Sequence, residues 1–175
     1  MPDLDPAVLV KVTDGMTTEV NAALEAGLFV GLQFKAERSY AEFQDEELDD
    51  LDCLKVDLVP VGYTKTELDD RSSVLYVTSS DIAIRKKFSE AQLNQSRRIK
   101  KNEIDRLVLF VQELHEFFLR PDAEEGIPVG TRLTTYFDAT WRETAIRTTF
   151  SRRHLRDLKM FLGVIRVSYE VSKPL

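Results

Sequence analysis

The sequence predicts an α+β fold, an α/β sandwich in which a mainly antiparallel sheet of about four to five strands is packed by a long central helix and an N-terminal helix. Three observations carry that reading. Residues 103–120, EIDRLVLFVQELHEFFLR, place Ile104, Leu107, Val108, Val111, Leu114, His115 and Phe118 on one helical face. Segments with apolar residues at every second position lie on both sides of it, as half-buried strands require. Two of those segments are joined by a polar loop, which makes a β-hairpin. All 175 residues then form one domain, with an exposed basic insertion near 89–101 and a flexible loop near 121–131.

Taken in order, Asp5 and Pro6 open a first helix as cap and first position. Val8, Leu9, Val12, Met16, Val20, Ala23 and Leu24 follow at helical spacing, and Gly27 ends the helix. Residues 28–40 alternate through Leu28, Val30, Leu32, Phe34 and Ala36 and read as a strand. Residues 41–52 carry seven carboxylates and no base, a stretch that stays solvated unless something positive meets it. Residues 53–63 form the next strand, with Leu54, Val56 and Leu58 on one face, Lys55 and Asp57 on the other, and Pro60 suited to its edge. Residues 64–73 are its polar turn. A long strand over 74–88 turns Val74, Tyr76, Thr78, Ser80, Ile82 and Ile84 one way.

Residues 89–101 read either as a backward extension of the central helix, since Ser89 and Gln92 form a capping box, or as an exposed loop. Asn102 caps the central helix, Glu103 and Asp105 suit its positive end, and Pro121 stops it. Leu109, Phe110, Phe117 and Leu119 widen its apolar stripe until little of it is left for water. A strand is expected around 144–150, then a short basic helical turn, SRRHLRDLK. The closing strand covers 161–171, with Phe161, Gly163, Ile165, Val167, Tyr169 and Val171 on one face.

Composition narrows the function. Hydrophobic residues at 43% and charged residues at 31% are ordinary for a soluble globular protein. A net charge of −6 argues against a general nucleic-acid coat and against binding to an anionic membrane. MPDLDPAVLV has no basic residue before its apolar run, so no signal peptide is expected, and no run is long enough for a membrane span. Cys53 is the single cysteine and reads as a small buried hydrophobe beside Leu54 and Val56.

Motifs for bond-making chemistry are scarce. The histidines are two, His115 on the buried stripe and His154 beside Arg152 and Arg153, and with one cysteine they give no zinc spacing. Neither phosphate-cradling glycine motif is present, nor the hydrolase elbow. Asp57 and Asp81, on neighbouring strands near Lys86 and Lys87, are the one catalytic alternative, the carboxylates of a Mg²⁺-dependent nuclease. Solvent-facing strand carboxylates are commonplace, however, so the expectation is of no enzyme, no cofactor and no metal.

Charge distribution is more informative. Arg85, Lys86, Lys87, Arg97, Arg98, Lys100 and Lys101 are seven positive residues within seventeen, against one acid, Glu90. The plain reading is a solvated face. The sharper one pairs them with the acidic stretch, so that Glu42, Asp45, Glu46, Glu47, Asp49 and Asp50 of one subunit meet Arg85, Lys87, Arg97, Arg98, Lys100 and Lys101 of the next. A head-to-tail contact of that kind closes into a ring.

The order of segments also resembles a known family. It comprises the N-terminal helix, a strand ending in F-x-x-x-R-x-Y (Phe34, Arg38, Tyr40), an acidic stretch, LKVDLVPVG, a polar loop, SDIAIRKKF, the EIDRLVLFVQELHEFF helix and FLGVIRVSYEV. This is similar to the tail-terminator and tail-completion (neck ring) proteins of long-tailed bacteriophages over about residues 29 to 119 and the last strand. The resemblance implies a virion protein, assembled in the host cytoplasm as a homo-oligomeric ring, usually a hexamer, at the head-proximal end of the tail. Such a ring stops tube polymerisation and joins the tail to the head–tail connector. Its implied partners are the tube protein, the connector or stopper, and the sheath in a contractile tail, with DNA passing through the lumen without specific binding. The SRRIKK insertion and the Pro/Gly loop after the helix depart from the family pattern, which keeps a head-side stopper or adaptor of the neck as an alternative.

Overall fold

Residues 74–87 and 160–171 are the longest alternating runs in the chain, and they pair with each other at the centre of the molecule. The computed structural model describes residues 7–40, 53–68, 72–120 and 126–174. Among them are two α-helices, α1 (Val8–Glu25) and α2 (Lys101–Phe117), a short 3₁₀ turn (Glu90–Gln92), a π-helical turn (His154–Leu158), and five strands: β1 (Ala36–Arg38), β2 (Lys55–Glu67), β3 (Ser73–Lys87), β4 (Ala139–Thr148) and β5 (Met160–Pro174). The strands form one mixed sheet in the order β1-β2-β3-β5-β4, with β1 parallel to β2 and every other pair antiparallel. The fold is α+β, as the alternation predicts.

Both helices lie on the same face of that sheet. Thr13 of α1 shares a 2.9 Å hydrogen bond with Ser80 of β3. Val111 of α2 packs so closely on β5 that a methyl group on Gly163 would sit 2.9 Å from its Cγ2 atom. Ser80 pairs with Val167 and Ile84 with Gly163, and directly opposed residues of an antiparallel pair share a face. The core between the layers holds Val56, Leu58, Ile82, Ile84, Phe161, Ile165, Val167 and Tyr169 from the sheet, and Met16, Val20, Phe110, Val111 and Leu114 from the helices. These are the residues that the two periodicities select.

Several expectations are corrected. The central helix shares its layer with α1, which is one residue longer. Its apolar stripe is narrower than expected: Leu107, Phe110, Val111, Leu114 and Phe117 are buried, but Leu109 is 52% exposed and Leu119 is exposed too. A helix resting on one sheet face covers one side only, and Leu109 is on the other. The strand expected over 28–40 is reduced to Ala36–Arg38. Phe29 and Gly31 take left-handed backbone conformations, and Phe29 packs edge-on against Phe110 and Phe117, so this segment is an aromatic plug. Residues 89–101 do not extend α2. Ser89 and Gln92 do bond to each other, at the start of a short 3₁₀ turn (Glu90–Gln92), and the chain then doubles back through a bridge between Leu93 and Ile99. Asp5, Pro6, the acidic stretch and Pro121 lie outside the described residues, as does half of the loop expected near 121–131.

Pro60 sits where the sequence placed it. Beyond Leu58 the outer edge of β2 is not paired with β1, and the register shifts between Pro60 and Gly62, so a residue without an N–H is tolerated. On the far edge β4 carries two register shifts, which blunt it against strand addition.

Candidate functional site

The face of the sheet opposite the helices presents two arginine–aspartate pairs among apolar side chains. Alternation along β2 and β3 sends Asp57, Asp81 and Arg85 to that face, and β5 adds Arg166. Arg85 Nη2 bonds Asp57 Oδ2, with 7% and 13% of the two side chains exposed. Arg166 grips Asp81 with two bonds of 2.7 and 2.9 Å, and that hydrogen bonding raises the guanidinium above its ordinary value. Val59, Ala83, Leu162 and Val164 line the hollow between the pairs, about 440 Å³ in volume. Among the described residues neither helix lies on this face.

Asp57 and Asp81 lie on adjacent strands, as the nuclease alternative requires, but two positions apart in register, with Asp57 opposite Ala83 and Asp81 opposite Val59. Each, however, is closed by an arginine instead of being left to a cation. Among the described residues no group of three His, Cys, Asp or Glu side chains is placed to hold a metal. Cys53 is exposed, not buried as expected. His115 is half-buried on α2, and His154 Nδ1 lies 2.6 Å from Ser151 Oγ.

The basic residues selected from the sequence do not form one patch. Arg85 is buried on the sheet face, because its position in β3 has the opposite parity to Lys86, which lines a separate hollow with Cys53, Glu103 and Arg106. Lys87 is half-buried opposite Met160 at the end of β3. Arg97, Arg98, Lys100 and Lys101 are exposed on the loop before α2. That loop is well tied: Asn94 Oδ1 accepts from the backbone of Ser96 and Arg98, Arg97 pairs with Glu90 at 3.0 Å, and Lys100 donates to the Ala91 carbonyl. Arg98 and Lys101 make no ion pair among the described residues. Glu42, Asp45, Glu46, Glu47, Asp49 and Asp50 lie outside those residues.

Sequence reasoning did not join to these the basic turn between β4 and β5. Phe88 N donates to the Lys159 carbonyl at 2.9 Å, and Lys87 faces Met160, so Arg152, Arg153 and Lys159 come to the same end of the sheet as the end of β3. Their basic character is visible in the sequence, but their location depends on a strand pairing across about seventy residues.

The residues that carry the family resemblance have structural roles here. Arg38 donates to Asp14 of α1 and to the Tyr40 hydroxyl, both at 2.6 Å, and so ties β1 to α1. Phe34 stacks against Phe29 and Phe110. No protein-family model and no curated protein matches this chain.

Proposed function

We propose that this chain is a structural subunit of a bacteriophage tail, a tail terminator that assembles as a homo-oligomeric ring at the head-proximal end of the tail. The observation that carries the reading is the sheet face away from the helices, where apolar residues lie between two arginine–aspartate pairs. Such a surface offers contact area and no reactive group. It fits a protein whose work is done by repeated complementary surfaces. The resemblance in segment order supplies the particular assembly, with the fold read as the α/β sandwich of such subunits and α2 as its central helix. The partners are the tube protein on one side and the head–tail connector on the other, and the location is the virion.

In this proposal the exposed loop with Arg97, Arg98, Lys100 and Lys101 adds an electrostatic contact to the acidic stretch of the next subunit. Reversing those four charges weakens assembly, and most at low salt, where exposed charges are least screened.

The deciding experiment is the mass of the purified protein by sedimentation or native mass spectrometry, together with its ability to cap isolated tail tubes. The expected particle contains about six copies of the 20.1 kDa chain, and it stops tube growth. Val164→Glu, which places a new charge on the sheet face away from the helices, disperses the particle without unfolding the subunit. A chain that stays monomeric at all concentrations and leaves tube growth untouched rules the proposal out.

A further inference from the structure

The net charge of −6 is unevenly shared. The described residues hold 23 of the 24 lysines and arginines but only 16 of the 30 acids; the other 14 acids fall in segments 1–6, 41–52, 69–71 and 121–125. The described residues therefore carry an excess of seven positive charges.

A second basic stretch, apart from the loop before α2, is the turn from β4 to β5. Arg147, Arg152 and Arg153 are exposed and make no ion pair among the described residues, while Arg156 is paired with its neighbour Asp157. The turn is a firm platform. Ser151 N donates to the Leu162 carbonyl, Leu155 N donates to the Ser151 carbonyl, and the Leu155 side chain packs against the core. Lys159, in a left-handed conformation, bonds its ammonium to the Arg156 carbonyl and leads directly into β5. In chain order, Phe150 comes between Arg147 and the Arg152–Arg153 pair, a large aromatic left 38% exposed.

We infer that the β4–β5 turn is a binding surface for the phosphodiester backbone of a nucleic acid, engaged without regard to sequence by Arg147, Arg152 and Arg153. Guanidinium groups match phosphate geometry and hold their charge at every physiological pH. A fixed platform spares the entropy of ordering the turn on binding. An exposed aromatic among arginines favours nucleic acid over an acidic protein surface, since it adds a stacking face for a base. The inference stands apart from the ring, because a lone subunit presents the same turn.

The test is fluorescence anisotropy of a labelled mixed-sequence DNA duplex with the full-length protein over a range of salt, with ring mass and unfolding midpoint measured on the same samples. Binding is expected at low salt, with log affinity falling linearly against log salt. Arg152→Glu with Arg153→Glu is expected to lower the affinity at least about tenfold and to flatten the salt slope by about two, one for each phosphate no longer neutralised. Arg152→Gln with Arg153→Gln gives the same change in slope in a protein of unaltered stability, and serves if the reversed variant misfolds. Absence of duplex binding at low salt overturns the inference, as does an unchanged slope in both variants. Displacement of the duplex by polyglutamate as readily as by unlabelled DNA assigns the turn to an acidic protein and overturns it too. Loss of ring mass in the same variants makes the turn a subunit contact, with the same result.

Discussion

Asp57 and Arg85 show what burial does to an ion pair. Both are nearly closed to solvent, so removing the carboxylate leaves a guanidinium in a place where water screens it poorly. Asp57→Ala is therefore expected to lower stability by about 3 kcal/mol. Asp81→Ala, whose pair with Arg166 is more exposed, costs about 1 kcal/mol. Urea unfolding of the two variants side by side tests the difference, and equal losses would contradict it. Tyr169 is the other telling residue. Its hydroxyl donates to the Gly130 carbonyl in the core, and burial, with Glu19 nearby, pushes the phenol well above its ordinary range. The folded state thus holds a proton that the unfolded chain releases near pH 10. The resulting stability is complete below about pH 10 and is lost as pH rises beyond it. Tyr169→Phe should cost about 1 kcal/mol at neutral pH and make stability less steep in alkali, read from urea midpoints at both pH values. Neither role is legible in the sequence, which shows a strand aspartate, a strand arginine and an alternating tyrosine but not what each one meets.

At the scale of elements, periodicity is a sound guide wherever an element has one buried side. The faces of β3 and β5 and the start of β2 follow the alternation, except at Tyr76, Arg85, Met160 and Ser168. Alternation fails at 28–35, where the same spacing of Leu28, Val30, Leu32 and Phe34 occurs without a strand, because left-handed backbone at Phe29 and Gly31 breaks the extended chain and aromatic packing holds the result. Such a conformation leaves no mark at the level of hydrophobic spacing. The approach of α2 to β5 is likewise invisible until the two are packed together. Gly163 lies where any Cβ would press on Val111 and on the Thr149 carbonyl, so Gly163→Ala is expected to destabilise by about 1–3 kcal/mol. Val111→Ala in the same chain should recover part of that loss. Simple additivity of the two in a double-mutant cycle would show that the helix and strand do not meet there.

For the whole molecule, net charge is a sum that hides its own distribution. An acidic total argued against polyanion binding, yet nearly half of the acids lie outside the described residues while almost all of the bases lie within them. Replacing the seven carboxylates of residues 41–52 by their amides is therefore expected to tighten binding to a DNA duplex at low salt by about tenfold, through long-range attraction alone. An affinity that does not move would show that those acids are remote from the bound polyanion or already paired. By itself the sequence determined the α+β class, the inward face of each long strand and the amphipathic helices, because side-chain direction repeats locally with the backbone. Only the tertiary structure decided that β5 lies between β3 and β4, that both helices share one face, and that the end of β3 meets the β4–β5 turn. Those outcomes depend on which distant segments pair, and pairing is set by the competition of all segments for a common core, not by any short stretch of chain.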